Sequence, residues 1–270
     1  MFTVIINDCR DENARGRQAA RITSLIDTHT SFIGVETDIE AGVNLIEMLD
    51  ATEGKRGIIL MNVAPRGGHT RQWENGTPFG YVWYQETLIV GSVDGLCFSG
   101  LKKFGLAKEI NVLDTTTTGA ATMLAAGFID EVAAAHIPHT QFRSFDFTPR
   151  VAAFIFLGNE VPHTPMPIAN IPDLPPAVWW IDNFGNCKTT LTERDVVNKT
   201  ELETRWGTFP LHTQLKNVPD QETAFTVGSS GLPGNKFVEF VIQRASAAKQ
   251  HGVAMGDQVF NQERVGLKVW

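Results

Sequence analysis

Apolar and polar positions alternate along the first half of the chain in blocks that predict strands and helices in turn. Short apolar runs predict strands at residues 3–7, 31–36, 57–63, 87–91 and 151–157. Spaced apolar positions predict helices between them, ending near Asp27, running over 39–51 with Asp38 as a possible cap, and running over 119–135. This order predicts an α/β domain over residues 1–160, with a mostly parallel, Rossmann-like sheet.

The second half of the chain has a different pattern. Residues 161–176 are rich in proline and show little periodicity, which predicts a linker. From residue 177 to 270, short apolar runs are separated by turn-forming residues. This spacing predicts a smaller all-β domain, either a barrel or a sandwich.

One predicted hairpin carries candidate binding residues at its tip. An apolar run over 177–181 stops at Asp182-Asn183-Phe184-Gly185-Asn186, where Asp, Asn and Gly favour a tight turn, and β-branched residues resume at Thr189. An aromatic ring flanked by amides suits a planar, hydrogen-bonding ligand such as a nucleobase. The alternative is an ordinary hairpin whose Phe184 plugs the core.

Composition and charge exclude several classes of partner. The net charge is −7 and Lys and Arg form no dense run, so we expect no nucleic acid to bind. There is no apolar run of about 18 residues, so we expect no membrane span. Cys9, Cys97 and Cys187 are scattered, which argues against a zinc site or disulfides and for a reducing cytoplasm. We expect neither a metal nor a cofactor.

The hairpin tip resembles the I-D-x-F-G-N-x-x-T-N segment of the S-adenosylmethionine (SAM) hydroxide adenosyltransferases and of the related fluorinases and chlorinases. Further segments resemble that family in the same order along most of the chain. They are Ile6-Asn7-Asp8 (L-T-D), Val35-Glu36-Thr37-Asp38-Ile39 (D-I-T-H-D-I), Ser92-Val93-Asp94-Gly95-Leu96 (P-D/N-N-G-L, with Asp94 for Asn) and Gly228-Ser229-Ser230-Gly231 (G-S-S-G).

The resemblance implies a set of residues that bind SAM as a substrate. Asp8 would hold the ribose hydroxyls, and a carboxylate that accepts two hydroxyl hydrogen bonds suits a cis-diol; the alternative is that Asp8 caps a helix. The resemblance also implies a homotrimer with sites shared between subunits. The other implied contacts are Phe184 and Asn186 at the base, Asp182 and Ser229 at the methionine amino and carboxylate groups, and the backbone near Arg244 at the base.

The catalytic positions of the hydrolase branch are only partly kept. That branch activates water with an Asp, an Arg and a His, from V-D-P-G-V-G-T-x-R and F-H-G-R-D. Aligned on these motifs, the chain has Ala64 at the Asp, Arg71 at the Arg and Thr118 at the His. His69, in the same loop as Arg71, is a candidate replacement base or else a solvated side chain. The hydroxyls of 115–118 could instead cap the helix that follows.

Three functions therefore remain open. The first is substitution at C5′ of SAM by hydroxide, which gives adenosine and methionine. The second uses a halide, which needs desolvation and hydrogen-bond donors but no base. The third is a catalytically silent protein that binds SAM or adenosine. The aromatic segment 73–84 is interpreted either as a lid over the site or as trimer surface.

Overall fold

The computed structural model describes residues 1–63 and 77–261 and divides into two units, Met1–Asp173 and Leu174–Trp270. The first unit is α/β and the second is built on a β-sheet, so the predicted fold class is confirmed. Within the described residues, no helix is long and apolar enough to cross a bilayer.

The first unit is a sheet covered by helices. Its strands are β1 (Phe2–Asn7), β2 (His29–Gly34), β3 (Gly57–Asn62), β4 (Phe79–Tyr84), β5 (Thr87–Ser92), β6 (Glu109–Leu113) and β7 (His163–Pro167). Its helices are α1 (Glu12–Thr23), α2 (Asp38–Thr52), α3 (Ser99–Phe104), α4 (Thr116–Ala125), α5 (Glu131–His136), α6 (Arg143–Asp146) and α7 (Thr148–Phe156).

The described strands of this sheet follow the order β2-β1-β3-β5-β4-β6-β7. The pairs β1–β2, β1–β3 and β3–β5 are parallel, whereas β5–β4, β4–β6 and β6–β7 are antiparallel. The sheet is therefore parallel in one half and antiparallel in the other. Strand β3, in the interior of the sheet, is apolar from Ile58 to Met61 because helices cover both faces of the parallel half, and Ile58, Ile59 and Met61 are all fully buried.

The apolar run 151–157, predicted as the last strand, is instead part of helix α7. A short apolar run cannot be assigned to a strand or a buried helix by periodicity alone, and here it is a helix buried along its length. Pro149 in the first turn was the available signal, since proline is favoured there. The last strand is β7, inside the proline-rich segment 161–176, and its prolines are tolerated because β7 is an edge strand.

Other element boundaries also differ from the prediction. Helix α1 ends at Thr23, before the expected end near Asp27, and it begins at Glu12 because Asp11 caps it, with its side chain accepting from Ala14 N at 2.9 Å. Thr37, and not Asp38, caps α2. The single helix expected over 119–135 is two helices, α4 and α5, because the chain turns at Gly127 with a φ of 68°.

Part of the aromatic segment 73–84 is neither a lid nor free surface. Strand β4 lies between β5 and β6, and its Phe79 and Tyr81 are buried. Trp83 is exposed on one face but stacks on Phe156, with ring centroids 6.0 Å apart. Trp73 lies outside the described residues.

The second unit is a curled, half-barrel sheet with strand order β10-β11-β12-β13-β9-β8 in its described part. Phe225 and Phe240 lie at the centre of its core, with ring centroids 4.8 Å apart. Its elements are β8 (Val178–Ile181), β9 (Cys187–Thr192), β10 (Glu201–Thr204), β11 (Gly207–His212), β12 (Thr223–Leu232), β13 (Asn235–Ile242) and α8 (Ala247–His251).

Helix α2 lies unusually close to the loop that follows β5 and to helix α3. A Cβ on Gly42 would overlap the carbonyl oxygen of Leu96, and a Cβ on Gly100 would overlap the carbonyl oxygen of Gly42. Both obstacles are backbone atoms, which cannot rotate away as a side chain would. These glycines therefore fix the position of the 93–97 loop against α2.

We expect Gly42→Ala to lower the free energy of unfolding by about 1–3 kcal/mol, because the added methyl must push the Leu96 backbone aside. The matched control is Gly16→Ala in α1, where nothing lies within 4 Å of the added Cβ. It should stabilise the protein by about 0.5–1 kcal/mol through helix propensity. Urea denaturation followed by circular dichroism measures both, and two changes of the same sign would contradict the packing argument.

Candidate functional site

The parallel half of the first sheet brings three strand ends to one edge. Asn7 pairs with Asn62 and Met61 pairs with Gly91, so β1, β3 and β5 end side by side. Asp8 follows directly, and its backbone N donates to Asn62 O at 3.3 Å. Asp8 and the loop after β5 thus leave the sheet at the same edge, as expected of parallel strands. The loop that carries Ala64, His69 and Arg71 lies outside the described residues.

The loop after β5 is held at both ends by hydrogen bonds. The buried Ser92 hydroxyl donates to Val63 O at 3.2 Å, and Leu96 N donates to Asp38 Oδ2 at 3.0 Å. Asp38 therefore holds this loop, while Thr37 caps the helix. The residues between the two anchors, 93–95, are presented at the sheet edge in a fixed position.

The thiol of Cys97 lies below this edge and is chemically inert. Burial, helped by the nearby carboxylates of Asp38 and Asp8 and opposed by a hydrogen bond with Ser92, raises the pKa of Cys97 to about 12. A thiol with this pKa stays protonated at neutral pH, so it is no nucleophile. Cys97 serves packing.

A cavity of about 470 Å³ opens in the first unit beside the 93–95 loop. The volume and the largely apolar walls are typical of a small-molecule site. Its walls come from the start of β4, the loop after β5, the end of β6 with the start of α4, the α6–α7 region and the segment after β7. The lining residues are Pro78, Phe79, Val93, Asp94, Gly95, Val112, Leu113, Asp114, Thr115, Thr116, Arg143, Phe147, Met166, Asn170, Ile171 and Pro172.

Two charged side chains on the cavity wall have contrasting surroundings. Arg143 donates from Nη1 to Thr77 O at 2.8 Å and lies 5.1 Å from the ring centroid of Phe79, and burial lowers the pKa of its guanidinium. Asp94 Oδ2 is buried and has no hydrogen-bond partner in the part of the chain that the structure describes. The cavity wall therefore includes a guanidinium that donates to the backbone and a residue, Asp94, one of whose carboxylate oxygens is buried without a donor among the described residues.

The threonines at the start of α4 are partly explained by capping. The Thr115 hydroxyl accepts from Thr118 N at 3.0 Å, so Thr115 is the N-cap. The hydroxyls of Thr115 and Thr118 are 2.9 Å apart and hydrogen-bond each other. Thr115 and Thr116 line the cavity. The capping interpretation is confirmed for Thr115, and a chemical role for Thr118 stays a prediction.

In the second unit, the predicted hairpin is formed by β8 and β9, which pair antiparallel with Ile181 opposite Cys187. The turn is organised by Asp182. Its Oδ1 accepts from Phe184 N and Asn186 N, both at 2.9 Å, and its Oδ2 accepts from Asn186 Nδ2 at 3.0 Å. Two of the candidate ligand contacts thus also hold the turn together.

Phe184 does not plug the core, so that alternative is wrong. Its side chain is 72% exposed at the tip of the hairpin. The tip itself is anchored, because Gly185 adopts a φ of 85° and its carbonyl accepts from Ala248 N at 3.0 Å. An exposed ring on a fixed turn is available for a flat ligand.

The two remaining candidates are both on the surface of the second unit. Ser229 is exposed within the irregular part of the β12–β13 pairing, between Val227 and Gly231. Arg244 is exposed, adopts a φ of 62°, and pairs with Asp220 at 3.4 Å. Arg244 lies two residues before Ser246, which abuts Gly185. The structure therefore brings the Arg244 backbone close to the hairpin tip.

Sequence reasoning missed Arg143, for which no sequence signal existed, and it gave Asp94 no role. The substitution of Asp94 for the Asn of the resembled motif was the one signal available for that residue. In residues 1–63 and 77–261, no three His, Cys, Asp or Glu side chains are grouped so that they could hold a metal ion.

Comparison with protein families gives one match, over residues 176–260, to the SAM hydroxide adenosyltransferase C-terminal domain. The resemblance inferred from the motifs is thereby confirmed, and the matched region contains the Asp182–Asn186 hairpin. Residues 176–260, which lie in the second unit, are therefore similar to this domain.

Two solved structures share the fold across almost the whole chain. An uncharacterized conserved protein from Thermotoga maritima is 15% identical with a TM-score of 0.65, and the alignment covers 95% of this chain and 98% of that one. A conserved hypothetical protein from Thermus thermophilus is 17% identical with a TM-score of 0.60, and the alignment covers 94% of this chain and 97% of that one. A comparison with curated proteins found no match.

We expect Asp182→Ala to lower the free energy of unfolding by about 1–3 kcal/mol, because two backbone N–H groups of the turn lose a charged acceptor. Asn183→Ala, at an exposed neighbour in the same turn, is the control and should change stability by less than about 0.5 kcal/mol. Chemical denaturation of both variants measures the difference. Equal effects would show that Asp182 does not organise the turn.

Proposed function

We propose that this protein catalyses nucleophilic substitution at C5′ of SAM with water as the nucleophile, which yields adenosine and L-methionine. The main support is the family match over 176–260, in the unit that presents Phe184 on an anchored turn. The match itself supports SAM-related chemistry, and the choice of water is the finer part of the proposal.

The leaving group and the nucleophile place different demands on the enzyme. The sulfonium of SAM is positively charged, so methionine leaves as a neutral thioether and needs no acid. Water is a weak nucleophile and gains from a base that removes its proton as it attacks. The enzyme must therefore supply a binding site for SAM and a base close to C5′.

The proposed binding roles follow the resemblance, residue by residue. Asp8 would accept from the ribose hydroxyls at the sheet edge of the first unit. A carboxylate has about four acceptor positions, so Asp182 could receive the methionine ammonium in addition to its three turn contacts. The remaining proposed roles are Phe184 and Asn186 at adenine, Ser229 at the methionine carboxylate, the Arg244 backbone at adenine, and Arg71, Thr118 or His69 near the reacting atoms.

The cavity of the first unit favours water over halide as the nucleophile. Both Asp94 and Asp114 line it, and carboxylates repel a desolvated anion strongly in a site of low dielectric constant. Arg143 is the cation on the same wall, but it already donates to Thr77 O and lies against Phe79. Halide transfer is therefore the less favoured reaction.

A catalytically silent SAM- or adenosine-binding protein is the second candidate. The observation that favours it is the replacement of the family's catalytic Asp and His by Ala64 and Thr118. A homotrimer with sites shared between subunits, as the resemblance implies, is part of our proposal. So is a cytoplasmic location, which is based on the scattered cysteines.

The first test is incubation of the purified protein with SAM, with and without chloride, followed by chromatography of nucleosides. We expect adenosine above the uncatalysed background, independent of chloride, and at least about 10-fold less in Asp8→Ala because the ribose loses a charged acceptor. A nucleoside product that forms only with chloride would show that the reaction is halide transfer. Binding of SAM without turnover would make it the silent binder.

A second test separates ligand binding from stability at the hairpin tip. Phe184→Ala should leave the free energy of unfolding within about 0.5 kcal/mol, because the ring is 72% exposed. It should weaken adenosine binding by about 10-fold, since stacking of a base on an aromatic ring contributes about 1–3 kcal/mol. Val197→Ala, at another exposed apolar side chain of the same unit, is the control. Calorimetric titration measures the adenosine affinity of both variants. An unchanged affinity in Phe184→Ala would show that adenine does not bind at this turn.

A further inference from the structure

Asp94 is the one carboxylate of the first unit that combines a place on the cavity wall with a buried oxygen lacking any donor in the described part of the chain. We propose that Asp94 is the general base that takes the proton from the attacking water. This inference rests on the proposed hydrolysis of SAM and names the residue that performs its most demanding step.

The unsatisfied oxygen is the observation that carries the proposal. Burying a polar atom without a hydrogen bond destabilises the folded protein, and more so when the atom is charged. Proteins keep such atoms where a ligand or a substrate water supplies the missing donor. Water bound in this cavity would donate to Asp94 before it reacts, and that hydrogen bond is the geometry from which a base removes a proton.

The position of Asp94 is fixed by its neighbours and not by its own side chain. Ser92 anchors one end of the loop to Val63 O, and Leu96 anchors the other end to Asp38. Gly95 adopts a φ of 80°, which turns the chain directly after Asp94. The loop that carries the carboxylate is therefore held in place without using Oδ2 as an acceptor for any described residue.

No ion pair holds the Asp94 carboxylate among the described residues. Arg143 lines the same cavity, but no ion pair joins it to Asp94 among the described residues, and its Nη1 donates to Thr77 O. A carboxylate locked to a guanidinium would be a poorer base, because the ion pair favours its charged form. Asp114, also on the wall, is exposed to solvent and has no comparable buried oxygen.

The step balances with the groups already named. As the water oxygen forms its bond to C5′, the C5′–S bond breaks and its electron pair goes to sulfur, so methionine leaves as a neutral thioether. The water proton moves to the Asp94 carboxylate and is released to solvent after adenosine departs. No further reactant is needed.

The sequence gives this role independent support. The resembled motif has Asn where this chain has Asp94, and an amide cannot accept a proton from water in the way a carboxylate can. The same chain lacks the family's Asp and His, at Ala64 and Thr118. A base thus occurs at a new position in a chain that has lost the bases at the old ones.

The test compares Asp94→Asn with the wild type for adenosine formation from SAM. Asp94→Asn replaces one carboxylate oxygen by an amide nitrogen, and no hydrogen bond at Oδ2 from the described residues is lost. We expect kcat to fall by at least about 100-fold, the lower range for a general base. The affinity for adenosine, measured by calorimetry, should stay within about threefold. Asp27→Asn, which removes the same charge from an exposed site in the same unit, should match the wild type in both.

A second variant, Asp94→Ala, tests the same role without introducing the amide group of Asp94→Asn. Asp94→Ala leaves room for formate, and added formate should raise its turnover in a concentration-dependent way because it supplies the missing carboxylate. An Asp94→Ala protein that binds adenosine but does not respond to formate would contradict the assignment of Asp94 as the base.

The remaining outcomes separate this inference from the proposed function. If Asp94→Asn turns over within about threefold of the wild type, Asp94 is not the base although the protein hydrolyses SAM. If Asp94→Asn loses turnover and adenosine affinity together, Asp94 is a binding residue and the inference is wrong. If the wild type binds adenosine but forms none from SAM, the proposed hydrolysis is wrong and the role of Asp94 falls with it.

Discussion

The parallel register of β1, β3 and β5 is the constraint on which the first unit depends. Since Asn7 pairs with Asn62 and Met61 pairs with Gly91, the chain leaves all three strands at one edge. Asp8 and Asp94 reach that edge from segments far apart in sequence. The close packing of Gly42 on the Leu96 carbonyl then fixes the loop that carries Asp94. The proposed chemistry therefore depends first on the strand register, which places Asp8 and Asp94 at the same edge.

In the hairpin of the second unit, one residue, Asp182, both stabilises the fold and is a proposed ligand contact. Asp182 closes the turn through three hydrogen bonds and is also a proposed ligand contact. Phe184 contributes little to the fold because its ring is exposed. The turn and the proposed ligand contact therefore both depend on Asp182, whereas Phe184 serves only the proposed contact.

Local sequence signals predicted much of this architecture. The order of strands 1, 2, 3 and 5, the hairpin and the two-part fold follow from apolar runs and turn residues, whose effects are local. The helix α7 was missed because a buried helix and a buried strand have the same apolar composition, and what covers Val151 and Phe154 is known only from the tertiary fold. The antiparallel strands β4 and β7 were hidden by aromatic and proline-rich composition.

The candidate site shows the same limit more clearly. Asp8, Asp182 and Phe184 could be chosen from motifs, but the exposure of Phe184 could not. The unsatisfied oxygen of Asp94 and the placement of Arg143 depend on what surrounds them in space. A sequence records which groups exist, and the folded chain alone determines which of them lack a partner.

The three cysteines acquire a practical meaning from their surroundings. Cys97 and Cys187 are buried, and burial raises the pKa of each thiol to about 12, which makes both unreactive toward electrophiles. Cys9 is exposed and follows Asp8 directly. The natural chain therefore has a single accessible attachment point for a maleimide dye, one residue from the proposed ribose contact, and a fluorophore placed there would report on occupancy of that edge without any engineered cysteine.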